Sequence, residues 1–195
     1  MNHPIESHPS LQGSRAALLA VALSAALMAP LPAGAQDSPP GENAAALTDA
    51  NIAAIVLAAN TIDIKNGQLA LAKSKNRSVK GLANQMVTDH TSVNAKATAL
   101  AGRLNLVPQE NQSSQALVAS ADLTRTKMRK LSGGAFDRAY VSNEVAYHQA
   151  VIELLDGTIV PSAENQELKE LLVSVRPAFL AHLEHAKMVQ ASLKK

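Results

Sequence analysis

The sequence predicts an all-α protein, a four-helix bundle with a short crossover helix between the second and third long helices. Apolar residues recur every three or four positions over four long segments, and no segment alternates apolar and polar residues as a strand would. Gly, Pro and polar residues separate these segments. The chain has 2 Phe, 2 Tyr and no Trp, so its core must be built mainly from small and aliphatic side chains.

Residues 1–35 have the pattern of a secretory signal peptide. Arg15 is followed by an apolar run, two prolines and a small-residue cleavage site after Ala35. The run is shorter than the roughly 20 residues that span a bilayer, and the chain has no cysteine to carry a lipid anchor. We expect a flexible leader over 36–47, a helical domain over 48–195, and a periplasmic or secreted product with no integral membrane span.

The first two helices are expected to form a hairpin. Thr48 is a suitable N-cap for a helix over 49–74, and a turn around Asn76 follows. Ser78 is the expected cap of the second helix, which should end near Arg103.

The remaining elements are a weakly periodic crossover helix and two long helices. The crossover is predicted over 114–130, and two glycines separate it from a long helix over 135–157. Pro161 is expected in the next connection, before a last helix over 164–193 that contains an internal proline.

Polar residues occupy several positions on the apolar faces of the long helices. These residues are Asp63, His90, Glu144, His148 and His182. Because a buried polar group is costly unless it finds a partner, imidazoles and carboxylates on core faces indicate a metal site or a polar network inside the bundle.

Spacing along the helices indicates which of these groups can meet. Asp63 lies thirteen residues before Asn76 and His90 lies fourteen after it, so an antiparallel hairpin places them in one layer. Glu144 is one turn before His148, whereas His148 and His182 match less well in depth. Asp89 points away from the face of His90 and is a candidate acceptor that orients a neighbouring imidazole.

The net charge is +2, with 18 basic and 16 acidic residues in a mixed pattern. This pattern does not indicate a nucleic-acid partner. Lys73, Lys75, Arg77 and Lys80 do cluster at one predicted turn, which we interpret as a solvated connection in preference to a contact with anionic lipid. Without cysteine, disulfide and thiolate chemistry are excluded.

The chain resembles the bacterial envelope proteins grouped as domain of unknown function 4142. The matching segments are 63–70, 79–94, 136–140 with His148, and Pro177 with His182-Leu183. The most specific stretch is Met-Val-Thr-Asp-His-Thr over 86–91. The resemblance implies a ferritin-like fold and makes His90, His148 and His182 the matching polar positions, with Asp63 where an acidic residue usually lies. It implies no reaction.

Three functions remain open from the sequence. The first is binding of one transition-metal ion (Zn, Cu or Fe) by Asp63, His90, Glu144, His148 and His182, for storage, buffering or stress response. The second is a non-catalytic envelope module with a buried histidine network, either purely structural or pH-responsive. The third, a redox enzyme, has the least support because the carboxylate count is low and the sequence contains no visible nucleophile–base pair or cofactor motif.

Overall fold

The computed structural model describes residues 47–194, and the regular structure in this range is entirely helical. The prediction of an all-α fold is therefore confirmed for this part of the chain. The expected signal peptide and nearly all of the expected leader lie outside the described residues. Within the described range, no helix combines the length and the apolar character that crossing a membrane requires.

Between residues 47 and 194, six helices and one π-helical turn follow one another. They are α1 (Asp49–Lys73), α2 (Arg77–Arg103), α3 (Gln112–Arg129), α4 (Gly133–Leu154), the π-helical turn (Leu155–Ile159), α5 (Val160–Ser162) and α6 (Gln166–Ser192). The four long helices α1, α2, α4 and α6 contribute most of the core, and α3 lies against the outside of α1.

The hairpin of α1 and α2 begins and turns at side-chain caps. Thr48 caps α1 as predicted, in a capping box with Asn51. The cap of α2 is Asn76 rather than Ser78, because the Asn76 carboxamide oxygen accepts hydrogen bonds from the backbone N–H groups of Ser78 and Val79. Ser74 and Asn76 therefore form the turn, and α2 begins two residues earlier than expected.

Close packing of this hairpin depends on Gly67. A Cβ atom at Gly67 would lie 2.8 Å from Val87 Cγ2 and 3.0 Å from the carbonyl oxygen of Ala83. Both distances are shorter than normal van der Waals contact, so only glycine lets α1 approach α2 this closely. Gly67 lies one turn after Asp63, and the close approach therefore lies next to the polar residues of the hairpin.

The connection between α4 and α6 differs from the prediction. Helical structure was expected to stop near Gly157, with Pro161 in a loop, but the chain remains helical through the π-helical turn and α5 to Ser162. Pro161 lies at the start of α5, directly after the π-helical turn, where the backbone hydrogen-bonding pattern changes. Arg176 of α6 makes two hydrogen bonds of 2.7 Å to Asp156 in the π-helical turn.

The apolar core consists of two clusters with polar residues between them. One cluster, around Ile52, Leu172 and Phe179, fills the end of the domain where α1 begins. The other, around Val79, Phe136 and Val189, fills the end where α1 turns into α2. Buried polar side chains from α1, α2, α4 and α6 lie at intermediate depth and form what we call the polar layer: Asn60, Asp63, His90, Glu144, His148 and His182.

Candidate metal centre

The structure brings all five predicted site residues into the polar layer. Asp63, His90, Glu144, His148 and His182 are each at most 3% exposed. His90, His148 and His182 each offer a ligand atom within 4.8 Å of the others, and so do Asp63, Glu144 and His148. His148 belongs to both groups, so the two sets form one continuous cluster.

Helical continuity to Ser162 explains why His148 and His182 meet. His148 lies fourteen residues before the end of α5, and His182 lies sixteen residues after the start of α6. These separations are nearly equal, so an antiparallel arrangement places both residues at similar depth. The mismatch inferred from the sequence arose because the helix was ended too early.

Each imidazole is held in place through one of its two nitrogens. His90 Nδ1 lies 2.6 Å from Asn60 Oδ1, and His148 Nδ1 lies 3.1 Å from the backbone oxygen of Glu144. His182 Nε2 lies 2.8 Å from Asp89 Oδ2. Because each partner is an oxygen that accepts, each of these nitrogens donates its proton. These contacts therefore define both the orientation and the tautomer of a neutral imidazole.

The second nitrogen of each ring carries the free lone pair. His90 Nε2, His148 Nε2 and His182 Nδ1 are buried and have no hydrogen-bond partner among residues 47–194. The three ring centroids lie 5.2 to 5.6 Å apart. Imidazole lone pairs that are buried, unpartnered and clustered are a costly arrangement unless a cation or a proton joins them.

Asp63 adds a carboxylate to this cluster. Its Oδ2 atom lies 2.6 Å from His90 Nε2 and 3.6 Å from His148 Nε2, although neither contact has hydrogen-bond geometry. A carboxylate oxygen and the lone pair of a neutral imidazole repel each other at such distances. A metal ion bound by these atoms, or a proton on His90, removes this repulsion.

The two buried carboxyl groups differ in their protonation. Burial raises the pKa of Asp63, but the close contact with His90 and the charges of His90 and His148 outweigh it and lower that pKa to about 2. Burial, together with the negative charge of Asp63, holds the pKa of Glu144 well above its usual value. Asp63 is thus ionised at neutral pH, while the surroundings of Glu144 favour its protonated form.

Burial also favours the neutral form of two of the imidazoles. It lowers the pKa of His148 to about 4, with further lowering by His90 and His182, against the opposing effect of Asp63. Burial likewise lowers the pKa of His182, although the hydrogen bond to Asp89 works in the other direction. The neutral form is the one that binds metal ions, so both rings are ready to coordinate at neutral pH.

Apolar side chains surround the polar layer on the side of the π-helical turn. A cavity of about 40 Å³ adjoins His90 and His148 and is otherwise lined mainly by aliphatic residues. Phe179 stacks on His90 with a ring-centroid distance of 5.2 Å. Tyr147 also borders the cavity, and its hydroxyl donates to the backbone oxygen of Ala59. Such apolar surroundings lower the local dielectric constant and strengthen the electrostatic interactions of the cluster.

Asp89 and Asn60 are the side chains that orient two of the imidazoles. Asp89, expected to orient a neighbouring ring, is the acceptor for His182. Asn60 was not among the predicted residues, although its position one turn before Asp63 on the same helical face could have indicated it. His185 is separate from the cluster and pairs with Gln85, with 2.6 Å between Nδ1 and Oε1.

Comparison with known proteins supplies the family and no function. No curated protein and no solved structure matches the chain. One family model, described as Domain of unknown function (DUF4142), matches residues 34–189. This range includes all five residues of the candidate centre and nearly all of the described helices. The chain therefore belongs to the DUF4142 family.

Proposed function

We propose that this protein binds one transition-metal ion in the polar layer. The observation that carries the proposal is the arrangement of three imidazoles, each oriented through one nitrogen by an oxygen acceptor and each with its other nitrogen buried and unpartnered. Metal-binding histidines are commonly held in this way, because the outer acceptor sets the tautomer and makes the ligating nitrogen more basic.

The donor set favours a borderline metal over a hard cation. Three imidazoles suit zinc, copper or iron, and Asp63 supplies a charged oxygen beside them. Glu144 is the fifth candidate donor, although its raised pKa opposes the ionisation that binding requires. Calcium and magnesium prefer sites built wholly from oxygen ligands and do not fit this composition.

We further propose that the domain is a ferritin-like four-helix bundle that works in the periplasm. The four long helices around a central polar layer, joined through the crossover helix α3, support the architecture. The pattern of residues 1–35 supports export. Storage, buffering or a stress response is the corresponding role, since no nucleophile–base pair was identified in the sequence.

The test is the metal content of protein purified without a histidine tag, combined with thermal melts. We expect near-stoichiometric zinc, copper or iron by elemental mass spectrometry. Chelation should lower the melting temperature, because an ion that binds only the folded state stabilises it. A double variant, His90→Ala with His182→Ala, should lose the ion, whereas His185→Ala should retain it.

The main alternative is a non-catalytic module whose polar layer contains no metal. In that case a proton on His90 balances Asp63, and the contact of 2.6 Å between them is an ion pair. Protein without bound metal, and a melting temperature unchanged by chelator and by added zinc, copper or iron, would support this alternative and refute the metal site.

A further inference from the structure

Cations from the ends of five helices meet at one end of the domain. The Lys73 ammonium donates to the backbone oxygen of Arg129 at 2.7 Å and lies 5.7 Å from the centre of the Phe136 ring. These contacts bring the end of α1 together with the end of α3 and the start of α4. The apolar cluster around Val79 and Val189 adds the start of α2 and the end of α6 to this end.

Eight exposed basic side chains lie on this surface, which we call the basic end. They are Lys75, Arg77, Lys80, Lys127, Arg129, Lys130, Arg138 and Lys194. None of the eight forms an ion pair with another residue in the range 47–194. Four of them come from α3, its C-cap and α4. The sequence cluster at the turn between α1 and α2 did not include these four residues.

Nearby carboxylates form no ion pair with the eight side chains of the basic end. Asp137 is buried and has no ion-pair partner among residues 47–194, while Asp122 and Glu184 are paired with Arg125 and Lys187. The surface therefore carries a concentrated positive charge even though the net charge of the chain is only +2. A local field of this kind is sensed within about a Debye length, roughly 10 Å at 0.1 M salt.

The opposite end of the domain carries acidic side chains. Asp49 accepts hydrogen bonds from the backbone N–H groups of Glu164 and Asn165, which places the start of α1 beside the start of α6. The acidic residues of this end are Asp49, Glu110, Asp156, Glu164, Glu167 and Glu170. Two of them, Asp156 and Glu167, are balanced by Arg176 and Arg103. Charge is thus separated along the helix axes.

We propose that the basic end docks on an anionic lipid surface. Clusters of four to eight Lys and Arg residues bind anionic headgroups, with about a fivefold gain in partitioning for each residue near the surface. Five of the eight side chains are lysines, whose compact charges suit many dispersed phosphates without a fixed contact geometry. Repulsion of the acidic end would then orient the helix axes away from the membrane.

A lipid surface fits this end better than a nucleic acid does. The basic side chains lie at the ends of several helices. They do not lie along a single helix or strand that could enter a groove of DNA. All four aromatic residues of the chain are buried or half-buried, so none is available to stack on bases. Docking would hold the polar layer above the bilayer, because His90 lies thirteen residues, roughly 20 Å, along α2 from Arg77.

The test compares binding of purified protein to two kinds of vesicle. One contains equal parts of phosphatidylglycerol and phosphatidylcholine, and the other contains phosphatidylcholine alone. A basic-end variant carries Lys75→Gln, Lys80→Gln and Lys130→Gln, and a control of equal net charge carries Lys65→Gln, Lys96→Gln and Lys169→Gln. Sedimentation with vesicles at low salt measures binding, and helical circular dichroism checks that each variant is folded.

We expect binding only to the mixed vesicles, about a hundredfold weakened in the basic-end variant and much less in the control. Raising the salt to about 1 M should abolish it, since the Debye length then falls to about 3 Å. Equal losses in the two variants, binding to phosphatidylcholine alone, or binding to duplex DNA without binding to vesicles would overturn the proposal. Metal content is not involved in this test, so its outcome is separate from that of the metal site.

Discussion

Asp63 on α1 and His90 on α2 lie 2.6 Å apart, Oδ2 to Nε2, although thirteen and fourteen residues separate them from the turn at Asn76. Both side chains are almost fully buried, and the Nδ1 atom of His90 is already held by Asn60. The short distance therefore joins an ionised carboxylate to a ring nitrogen that needs a proton or a metal ion. This contact is the electrostatic centre of the polar layer.

Removal of single imidazoles should distinguish a histidine that binds the metal ion from a neighbouring histidine that does not. His182→Ala should lower the affinity for zinc by more than about a hundredfold, because it deletes a ligand and not just an outer partner. His185→Ala, one turn away and bonded to Gln85, should leave the affinity unchanged. Calorimetric titration with zinc measures both variants, and equal effects at the two positions would contradict the assignment.

Asp89 should act through His182 without touching the ion. Asp89→Ala removes the acceptor that holds His182 Nε2 at 2.8 Å, so the affinity for zinc should fall about 10- to 100-fold with unchanged stoichiometry. Asn94→Ala is a control on the same helix, since Asn94 pairs only with Thr61. A complete loss of stoichiometric binding in Asp89→Ala would instead make Asp89 a direct ligand.

Metal binding should release a proton from Glu144. Because the pKa of Glu144 is held well above its usual value by burial and by Asp63, the carboxyl group favours its protonated form and must ionise to bind. Calorimetry in buffers of different ionisation enthalpy counts the released protons. Glu144→Gln should remove about one of them. Proton release that is the same in the wild type and in the variant would exclude Glu144 from the ligand set.

Acid should destabilise the metal-free protein through His148. Its folded pKa of about 4 lies below the reference value of 6.5, so the unfolded chain binds more protons between these two values. The free energy of unfolding should therefore fall as the pH falls from 6.5 to 4, by up to roughly 3 kcal/mol.

Glu144 opposes this trend, since its raised pKa makes the folded state bind more protons above pH 4.5. The measurement is therefore best made by denaturant unfolding in the Glu144→Gln background. Additional replacement of His148 by Gln should reduce the pH dependence between 4 and 6.5, leaving the part that comes from the lowered pKa of His182. An unchanged slope in the double variant would show that another group is responsible.

Gly67 should be the least replaceable glycine of the hairpin. Gly67→Ala places a methyl group 2.8 Å from Val87 and 3.0 Å from the backbone of Ala83, and overpacking of this kind costs about 1–3 kcal/mol. Gly81→Ala has open space around it and should stabilise the helix by about 0.5–1 kcal/mol. Thermal melts of the two variants should shift in opposite directions. A Gly67→Ala variant as stable as the wild type would mean that α1 and α2 can separate slightly.

The sequence allowed the helices, and the match in depth between Asp63 and His90, to be predicted for a physical reason. Long amphipathic segments have a period that only a helix satisfies, and the short turn at Asn76 makes counting residues a good measure of depth for Asp63 and His90. The N-cap of α2 could not be chosen from the sequence in this way, because Asn76 and Ser78 are both favourable N-cap residues and lie two positions apart.

The register of His148 against His182 could not be derived in the same way. The π-helical turn changes the number of residues per turn over Leu155–Ile159, and no residue type in this segment indicates a π-helix. Pro161 indicated a loop, although proline is equally suited to the first turn of a helix. Asn60 was overlooked because an amide on a helix carries no charge, yet its oxygen determines which nitrogen of His90 is free.

The division of the apolar core by the polar layer has a consequence for cooperativity. Each long helix crosses from one apolar cluster to the other, and the layer between them contributes little dry packing of its own. Without a bound ion, the two halves can exchange their backbone amide protons at different rates, each half opening on its own. An ion bound by residues of α2, α4 and α6 would couple the two halves. With the ion bound, the backbone amides of both halves should then exchange at the same rate.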